Sequence, residues 1–282
     1  MYKKLPALFV FIISFNVNSQ PWNYEKVLEN YLIFVNAGTS TVVTEYKRDW
    51  SGIINEMHHR SGYSYALGIS KSFTQNWDFG YEYEFCFLKG FQDNPDFSAY
   101  RYGHYKISLM DIKPVIYHTR VKCHNFVATY HFNNYKGKRF IPFVYVKLGG
   151  SKLFSELMYA SDYKLIFAKI GWKENMPDAS VYIVNFNVGA GLGLEWVIDQ
   201  NLSINLKTDI NHINDDNLDG VHNFDAPPPE GYHNSVYGFY GRAMIGLSYY
   251  INPDRQRKAT RKYLLEDSFK NNPRRKGLFQ WH

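Results

Sequence analysis

The stretch WDFGYEYEF sets Trp77, Phe79, Tyr81, Tyr83 and Phe85 against Asp78, Gly80, Glu82 and Glu84 in strict alternation. Successive side chains of a β-strand point to opposite faces, so this pattern predicts a strand with one ring-bearing face and one small or acidic face. Seven more stretches read as strands: Tyr31 to Val43, Gly62 to Phe73, one clearest over Asn125 to Asn133, Arg139 to Phe154, Val181 to Ile198, Leu202 to Asn211, and Val236 to Ile251. Pro114 leaves the start of the strand ending near Asn133 open, because proline cannot join a ladder as a donor. With the opening stretch extended to Gly90, the chain predicts eight strands.

The connections sort by length. Thr74 to Asn76, Tyr135 to Lys138, and Asp199 with Gln200 are tight turns, whereas Thr44 to Ser61, Phe91 to Arg120, Ser155 to Ala179 and Asn214 to Asn234 are long. Short turns alternating with long loops are the pattern of an up-and-down membrane barrel, with turns in the periplasm and loops outside. A soluble sandwich has no reason to sort its loops this way. The expected fold is therefore all-β: a closed, antiparallel, eight-stranded, up-and-down transmembrane β-barrel over residues 31–251. Lipid cannot satisfy a free sheet edge, so closure is required. The aromatic face of Trp77 to Phe85 then meets lipid, and Glu82 and Glu84 face the lumen. An even strand count puts both termini on the turn side, in the periplasm of an outer membrane.

The ends agree. Lys3 and Lys4 precede an apolar run from Leu5 to Phe15 that is too short to span a bilayer, followed by Val17, Asn18 and Ser19. Residues 1–19 read as a signal peptide cleaved before Gln20, and residues 20–30 as a periplasmic lead-in. Aromatic residues make up 18% of the chain, with 24 Tyr and 21 Phe, more than a soluble core of this size needs. The net charge of +6 sits wholly in the tail: from Asn252 onward nine Lys or Arg face three Asp or Glu, and the preceding residues balance at 23 against 23.

Inward positions gather Glu82, Glu84, Lys147, Glu195, Lys207, Asp209 and Arg242. Eight strands leave room for side chains and little else, so these predict a lumen network of ion pairs; a narrow ion path along the same network is the alternative. The inward glycines of GAGLG are expected to make room for bulky lumen side chains such as Tyr240 and Arg242. GAGLG lacks the spacing and the following helix of a phosphate-binding turn. Cys86 and Cys123 point inward on neighbouring strands, where a cross-strand disulfide and two separate buried thiols both fit. Asp215, Asp216, Asn217, Asp219 and Asp225 crowd the last long loop without matching a calcium-loop spacing. His58, His59 and His104 could be assembled with nearby Ser and Asp into a hydrolase site, but no local motif supports one. No enzyme activity, cofactor or metal is expected.

The tail of residues 252–282 interleaves Arg255, Arg257, Lys258, Arg261, Lys262, Arg274, Arg275 and Lys276 with Tyr263, Leu264, Leu265, Phe269 and Trp281. It reads either as a solvated, disordered tail or as a segment that docks a periplasmic protein partner or an anionic leaflet. Nucleic acid would leave the same basic footprint, but the compartment argues against it.

The chain resembles the small eight-stranded outer-membrane barrels of the OmpA type, particularly those common in Bacteroidota. Gln20 behind the leader, FIPFVYVKLGGS followed by GAGLGLEW, and Met244, Gly246, Tyr249 and Ile251 at the end of the last strand carry the resemblance, which spans Tyr31 to Ile251. It implies an outer-membrane location, contact with outer-membrane lipid, and a non-enzymatic surface or envelope-scaffold role. A porin-like channel and an outer-membrane hydrolase follow as second and third readings. The 31 residues after the barrel are too few for a peptidoglycan-binding domain. Similar barrels sit beside secretion and gliding machinery, and the loop DDNLDGV is similar to some of them.

Overall fold

The computed structural model describes residues 29–47, 53–54, 57–94, 113–132, 139–170, 173–174, 185–215, 217–221 and 236–270. The leader, residues 20–28 and the residues after 270 lie outside it. The strands are β1 (Tyr31–Lys47), β2 (Ile53–Ile54), β3 (His58–Ser72), β4 (Trp77–Gln92), β5 (Val115–His131), β6 (Phe140–Tyr159), β7 (Leu165–Ile170), β8 (Lys173–Glu174), β9 (Asn185–Val197), β10 (Leu202–Ile213) and β11 (Val236–Ile251), followed by one helix, α1 (Arg255–Lys270). Eight of them, β1, β3, β4, β5, β6, β9, β10 and β11, pair antiparallel in chain order, and β11 returns to β1 from Tyr31↔Ile251 to Lys47↔Val236. The barrel is closed.

Several strands run further than the alternation suggested. β4 and β5 stay paired up to Gln92↔Val115, and β6 continues to Tyr159, where it carries β7. Much of what reads as long loop is therefore ladder extending past the barrel. β5 begins at Val115, directly after Pro114, where the missing N–H interrupts no ladder.

The outer wall is apolar. Phe126 is 70% exposed, and Leu192 and Ile245 are each 60% exposed. Phe73, Trp77, Phe132, Phe140, Trp196 and Tyr249 stand at the turn end as an exposed aromatic ring. A water-soluble chain does not leave a continuous apolar belt uncovered, whereas a bilayer covers it and places aromatic girdles at its edges. The barrel thus spans a membrane with strands; among the described residues no helix is long and apolar enough to cross one. Phe85 faces outward with the other rings of WDFGYEYEF yet is buried, because Tyr65 and Tyr63 stack on it at 4.9 and 5.9 Å.

Candidate functional site: a lumen sealed at three levels

At mid-height, β4, β6, β10 and β11 aim six ionic groups at one another. Arg242 donates from Nε to Asp209 Oδ1 at 2.9 Å and from Nη2 to Asp209 Oδ2 at 2.5 Å; Nη2 also reaches Glu82 Oε1 at 3.2 Å, and Nη1 lies 3.1 Å from Glu84 Oε2. Lys147 donates to Glu84 Oε2 at 2.8 Å and to Asp209 Oδ2 at 3.1 Å. Lys207 donates to Glu82 Oε2 at 2.6 Å and lies over the rings of Phe34 and Tyr145. Glu82, Glu84 and Asp209 thus meet Lys147, Lys207 and Arg242, three against three, all buried. Tyr240 donates to Glu84 Oε1 at 2.6 Å and Tyr145 to Asp209 Oδ2 at 2.8 Å. Buried ions hold when charge is matched and most of their hydrogen bonds are made; charge is matched here, and within the lattice Arg242 Nη1 is the buried donor without a hydrogen bond, 3.1 Å from Glu84 Oε2.

The glycines of β9 shape it. Gly189, Gly191 and Gly193 lie directly opposite Lys147, Tyr145 and Phe143 on β6. A Cβ on Gly191 would come within 2.5 Å of the Tyr145 ring, and one on Gly189 within 2.6 Å of Lys147 Cε. The space they leave is therefore filled by β6 side chains across the pair, rather than by Tyr240 and Arg242, which stand on β11 opposite Asn211 and Asp209.

Nearer the turns, Glu195 separates from the lattice and joins a second cluster with Asp78 and His131. His131 Nε2 lies 3.0 Å from Asp78 Oδ2, and its Nδ1 lies 3.7 Å from Glu195 Oε2. Here α1 closes the barrel. Arg261 donates from Nη1 to Glu195 Oε1 at 2.8 Å and from Nη2 to Ser203 Oγ at 2.6 Å and to the Asp199 and Leu202 carbonyls. Arg257 Nη2 donates to the Thr74 carbonyl at 3.1 Å and lies 3.6 Å from Asp78 Oδ1. Both guanidinium groups lie over the buried Tyr250 ring, at 4.9 and 4.7 Å from its centre. Two carboxylates, Asp78 and Glu195, thus meet two guanidinium groups, Arg257 and Arg261, with the His131 ring between the acids.

Local chemistry fixes where α1 starts. Asp254 accepts the N–H of Arg257 at 2.6 Å as an N-cap, while its other carboxylate oxygen and its own N–H bond the Asn30 side chain at 3.0 and 2.7 Å. Asn30 and Asn252 both adopt positive φ, which asparagine tolerates better than most residues. The chain thereby turns from β11 under the barrel, and Arg257, Arg261 and Leu264, spaced i, i+4, i+7, share one face. Leu264 packs on Ile141 and Val197. This overturns both readings of the tail for two of its residues: Arg257 and Arg261 are neither solvated nor presented to a partner, because two buried carboxylates claim them. Lys258 and Lys262 point away and are exposed. Arg255 lies in the first turn of α1, and Arg274, Arg275 and Lys276 are outside the described residues.

Between lattice and lock lies a cavity of about 60 Å³ lined by Asp78, Glu82, His131, Glu195, Asn205 and Lys207, polar and roomy enough for ordered water. The loop end is sealed by apolar packing instead. Leu218 and Val221 of the last long loop fold inward onto Leu88, Tyr117, Leu157 and Tyr240. Gly220 permits this with φ of 78°, where an added Cβ would sit 3.0 Å from Tyr117 Cβ. The acids of this loop hold its own backbone: Asp215 accepts the Asn217 N–H and Asp219 accepts the Val221 N–H. Among the described residues no group of three or more His, Cys, Asp or Glu is arranged for a metal; Asp216 and Asp225 are not among them.

Cys86 and Cys123 are both buried free thiols. The register pairs Cys86 with Val121 and Glu84 with Cys123, so the two are diagonal neighbours; diagonal Cβ atoms stand wider apart than a disulfide spans. Cys86 Sγ instead donates to Glu84 Oε1 at 3.4 Å. Thiol titration of denatured, unreduced protein should find two free thiols per chain; none would establish the bridge. His59 Nδ1 lies 2.9 Å from Tyr117 Oη, and the His58 ring lies tilted at 5.3 Å from Phe91; His104 is not among the described residues.

Sequence parity pointed to the six lattice residues and Glu195 but passed over Asp78, His131, Ser203 and Tyr250. Asp78 and His131 carried the available signal, since both stand in phase with the inward polar positions of their strands.

No protein-family model and no curated protein matches the sequence. Among solved structures it is similar to Neisserial surface protein A, with 9% identity over 79% of this chain and 97% of that one and a TM-score of 0.43. It is also similar to the outer membrane protein OprG from Pseudomonas aeruginosa, with 12% identity over 77% and 94% and a TM-score of 0.39. The outer membrane protease OmpT from Escherichia coli shows 9% identity over 79% and 97% and a TM-score of 0.38. At these values the barrel rests on its own strand pairing and outer wall, and the likenesses assign it no activity.

Proposed function

We propose that this protein is a non-conducting, non-enzymatic barrel of the outer membrane, which works through its outer surfaces as a surface or envelope-scaffold protein. The carrying observation is the sealed lumen. The lattice sets three carboxylates against three cations at mid-height, and the α1 lock sets Arg257 and Arg261 on Asp78 and Glu195 at the turn end, so ionic side chains cross the lumen above and below the small polar cavity. A pore needs a continuous wet path, and a hydrolase needs a nucleophile beside an oriented base; the ionic groups of the described lumen are instead paired with one another. The alternation of tight turns with long connections supports placing the turn end and α1 in the periplasm, with the long loops outside. The OmpA-type and Bacteroidota likeness rests on the sequence features alone.

Purified full-length protein in planar bilayers is expected to give no discrete conductance steps. Reproducible steps from the wild type would overturn this reading in favour of a narrow channel.

The tail then has two faces with two duties. Arg257 and Arg261 serve the barrel, while Lys258, Lys262 and Tyr263 face away, toward a periplasmic protein partner of acidic surface. Lys258→Glu with Lys262→Glu should abolish cross-linking of α1 to any such protein in intact cells while leaving the heat-modifiable barrel unchanged. Undiminished cross-links would remove α1 as the docking face.

A further inference from the structure

The outer wall is not uniform. Along β9, β10, β11 and β1 as far as Val43, the outward positions carry no Lys, Arg, Asp or Glu. Across β3 to β6, by contrast, Arg60, Lys89, Arg120, Lys122 and Lys152 share the outer face, with Glu156 as the one carboxylate among them in the described residues.

Two of the registers set like charges opposite each other. Arg60 stands directly opposite Lys89, and Lys122 directly opposite Lys152; like charges directly opposite on adjacent strands destabilise a sheet. The guanidinium groups are also held in place. Arg60 lies 4.0 Å over the Phe91 ring and Arg120 4.3 Å over the Phe154 ring, while Arg120 Nη2 pairs with Glu156 at 3.1 Å. Stacked guanidinium forks suit phosphate oxygens, and Lys adds point charge beside them.

Height identifies the occupant. Lys89 stands twelve residues above Trp77, Arg120 twelve above Phe132, and Lys152 twelve above Phe140, the aromatic residues of the turn end. At about 3.4 Å per residue and a tilt of about 40°, that is roughly 31 Å along the barrel axis, just past an apolar band of about 25 Å. The row therefore points sideways into the headgroup layer at the loop end. Hydrocarbon would reject it, and a soluble polyanion would have to approach through lipid.

We infer that this outward row on β3 to β6 is a docking site for the phosphorylated headgroup of an outer-leaflet glycolipid, with Arg60, Lys89, Arg120, Lys122 and Lys152 gripping its phosphates. The inference rests on the outer-membrane placement proposed above, with loops outward. Ring-stacked guanidinium groups and flanking lysines bind the headgroup on one side of the barrel, whereas the described outward positions of β9, β10, β11 and β1 as far as Val43 offer it no charged partner. The barrel then carries a fixed lipid on a fixed flank, which orients it among its neighbours.

The test uses full-length protein folded into phosphatidylcholine vesicles with rising mole fractions of lipopolysaccharide, reading the midpoint of heat modifiability on gels. The wild type should rise in midpoint. Lys89→Gln, Arg120→Gln, Lys122→Gln and Lys152→Gln combined should need at least about tenfold more lipopolysaccharide for half the rise, because each basic group near a charged surface contributes measurably. Should the fourfold variant fail to fold in neutral vesicles, Lys122→Gln with Lys152→Gln is read the same way, and Lys122→Arg with Lys152→Arg should keep the response. Equal responses in wild type and variants would overturn the site. An equal rise with phosphatidylglycerol would make it a general anionic-lipid surface, and an equal rise with inorganic phosphate or heparin in neutral vesicles would make it a soluble-anion site; either result overturns the glycolipid assignment. Cell fractionation of the wild type is read separately: absence from the outer membrane would sink the proposed placement whatever the vesicles show.

Discussion

Replacing Arg261 by methionine is expected to cost about 3–5 kcal/mol of barrel stability, seen as a fall in the urea midpoint in detergent and in the temperature of heat modifiability. Arg261 meets the buried Glu195 and Ser203, and it caps two backbone carbonyls at the β9–β10 turn. Methionine keeps much of the volume and removes all of these donors. Glu195 would then face only His131, at 3.7 Å, while it still accepts from Ser203 at 2.5 Å. The loss comes from the stranded carboxylate more than from the missing bond, which a double-mutant cycle separates. Glu195→Gln with Arg261→Met should recover most of the loss, because no unpaired buried charge remains. If Arg261→Met were as stable as wild type, water would be reaching Glu195, and α1 would be resting against the barrel rather than closing it.

The strands were legible because a barrel wall separates two solvents, and period-two alternation records that separation residue by residue. The inward ionic residues were legible for the same reason. Their grouping was not. Glu195 shares a face with Asp209 in the sequence pattern, yet it stands nearer the turns and pairs with α1, because strand tilt and register decide which inward positions share a level. Pairs such as Glu82 with Lys207 and Glu84 with Lys147 join residues far apart in the chain, and alternation within one strand carries no information about that. The helix escaped notice because its inward face is carried by Arg257 and Arg261 rather than by apolar residues. The i, i+4, i+7 spacing through Leu264 and the N-capping Asp254 were on view, but their meaning depends on two carboxylates waiting at the mouth of the barrel. The same holds for DDNLDGV: its acids look like a cation loop until Leu218 and Val221 are seen folded into the lumen.

The second large effect is expected at Arg242. Arg242→Met leaves Glu82, Glu84 and Asp209 facing only Lys147 and Lys207, an uncompensated carboxylate at the driest level of the lumen, and should likewise cost about 3–5 kcal/mol or prevent refolding. Arg242→Lys restores the charge but not the paired contact to both oxygens of Asp209, so an intermediate midpoint is expected. Arg242→Met with Asp209→Asn returns the count to two against two and should refold with a midpoint above that of Arg242→Met alone. Urea titration of the three variants in one detergent orders them: wild type, then Arg242→Lys and the double variant, then Arg242→Met. That order follows only if protein charge, rather than water, neutralises the lattice. A wild-type midpoint for Arg242→Met would mean that water solvates Glu82, Glu84 and Asp209, and a lumen wet at that level would be the path a channel requires.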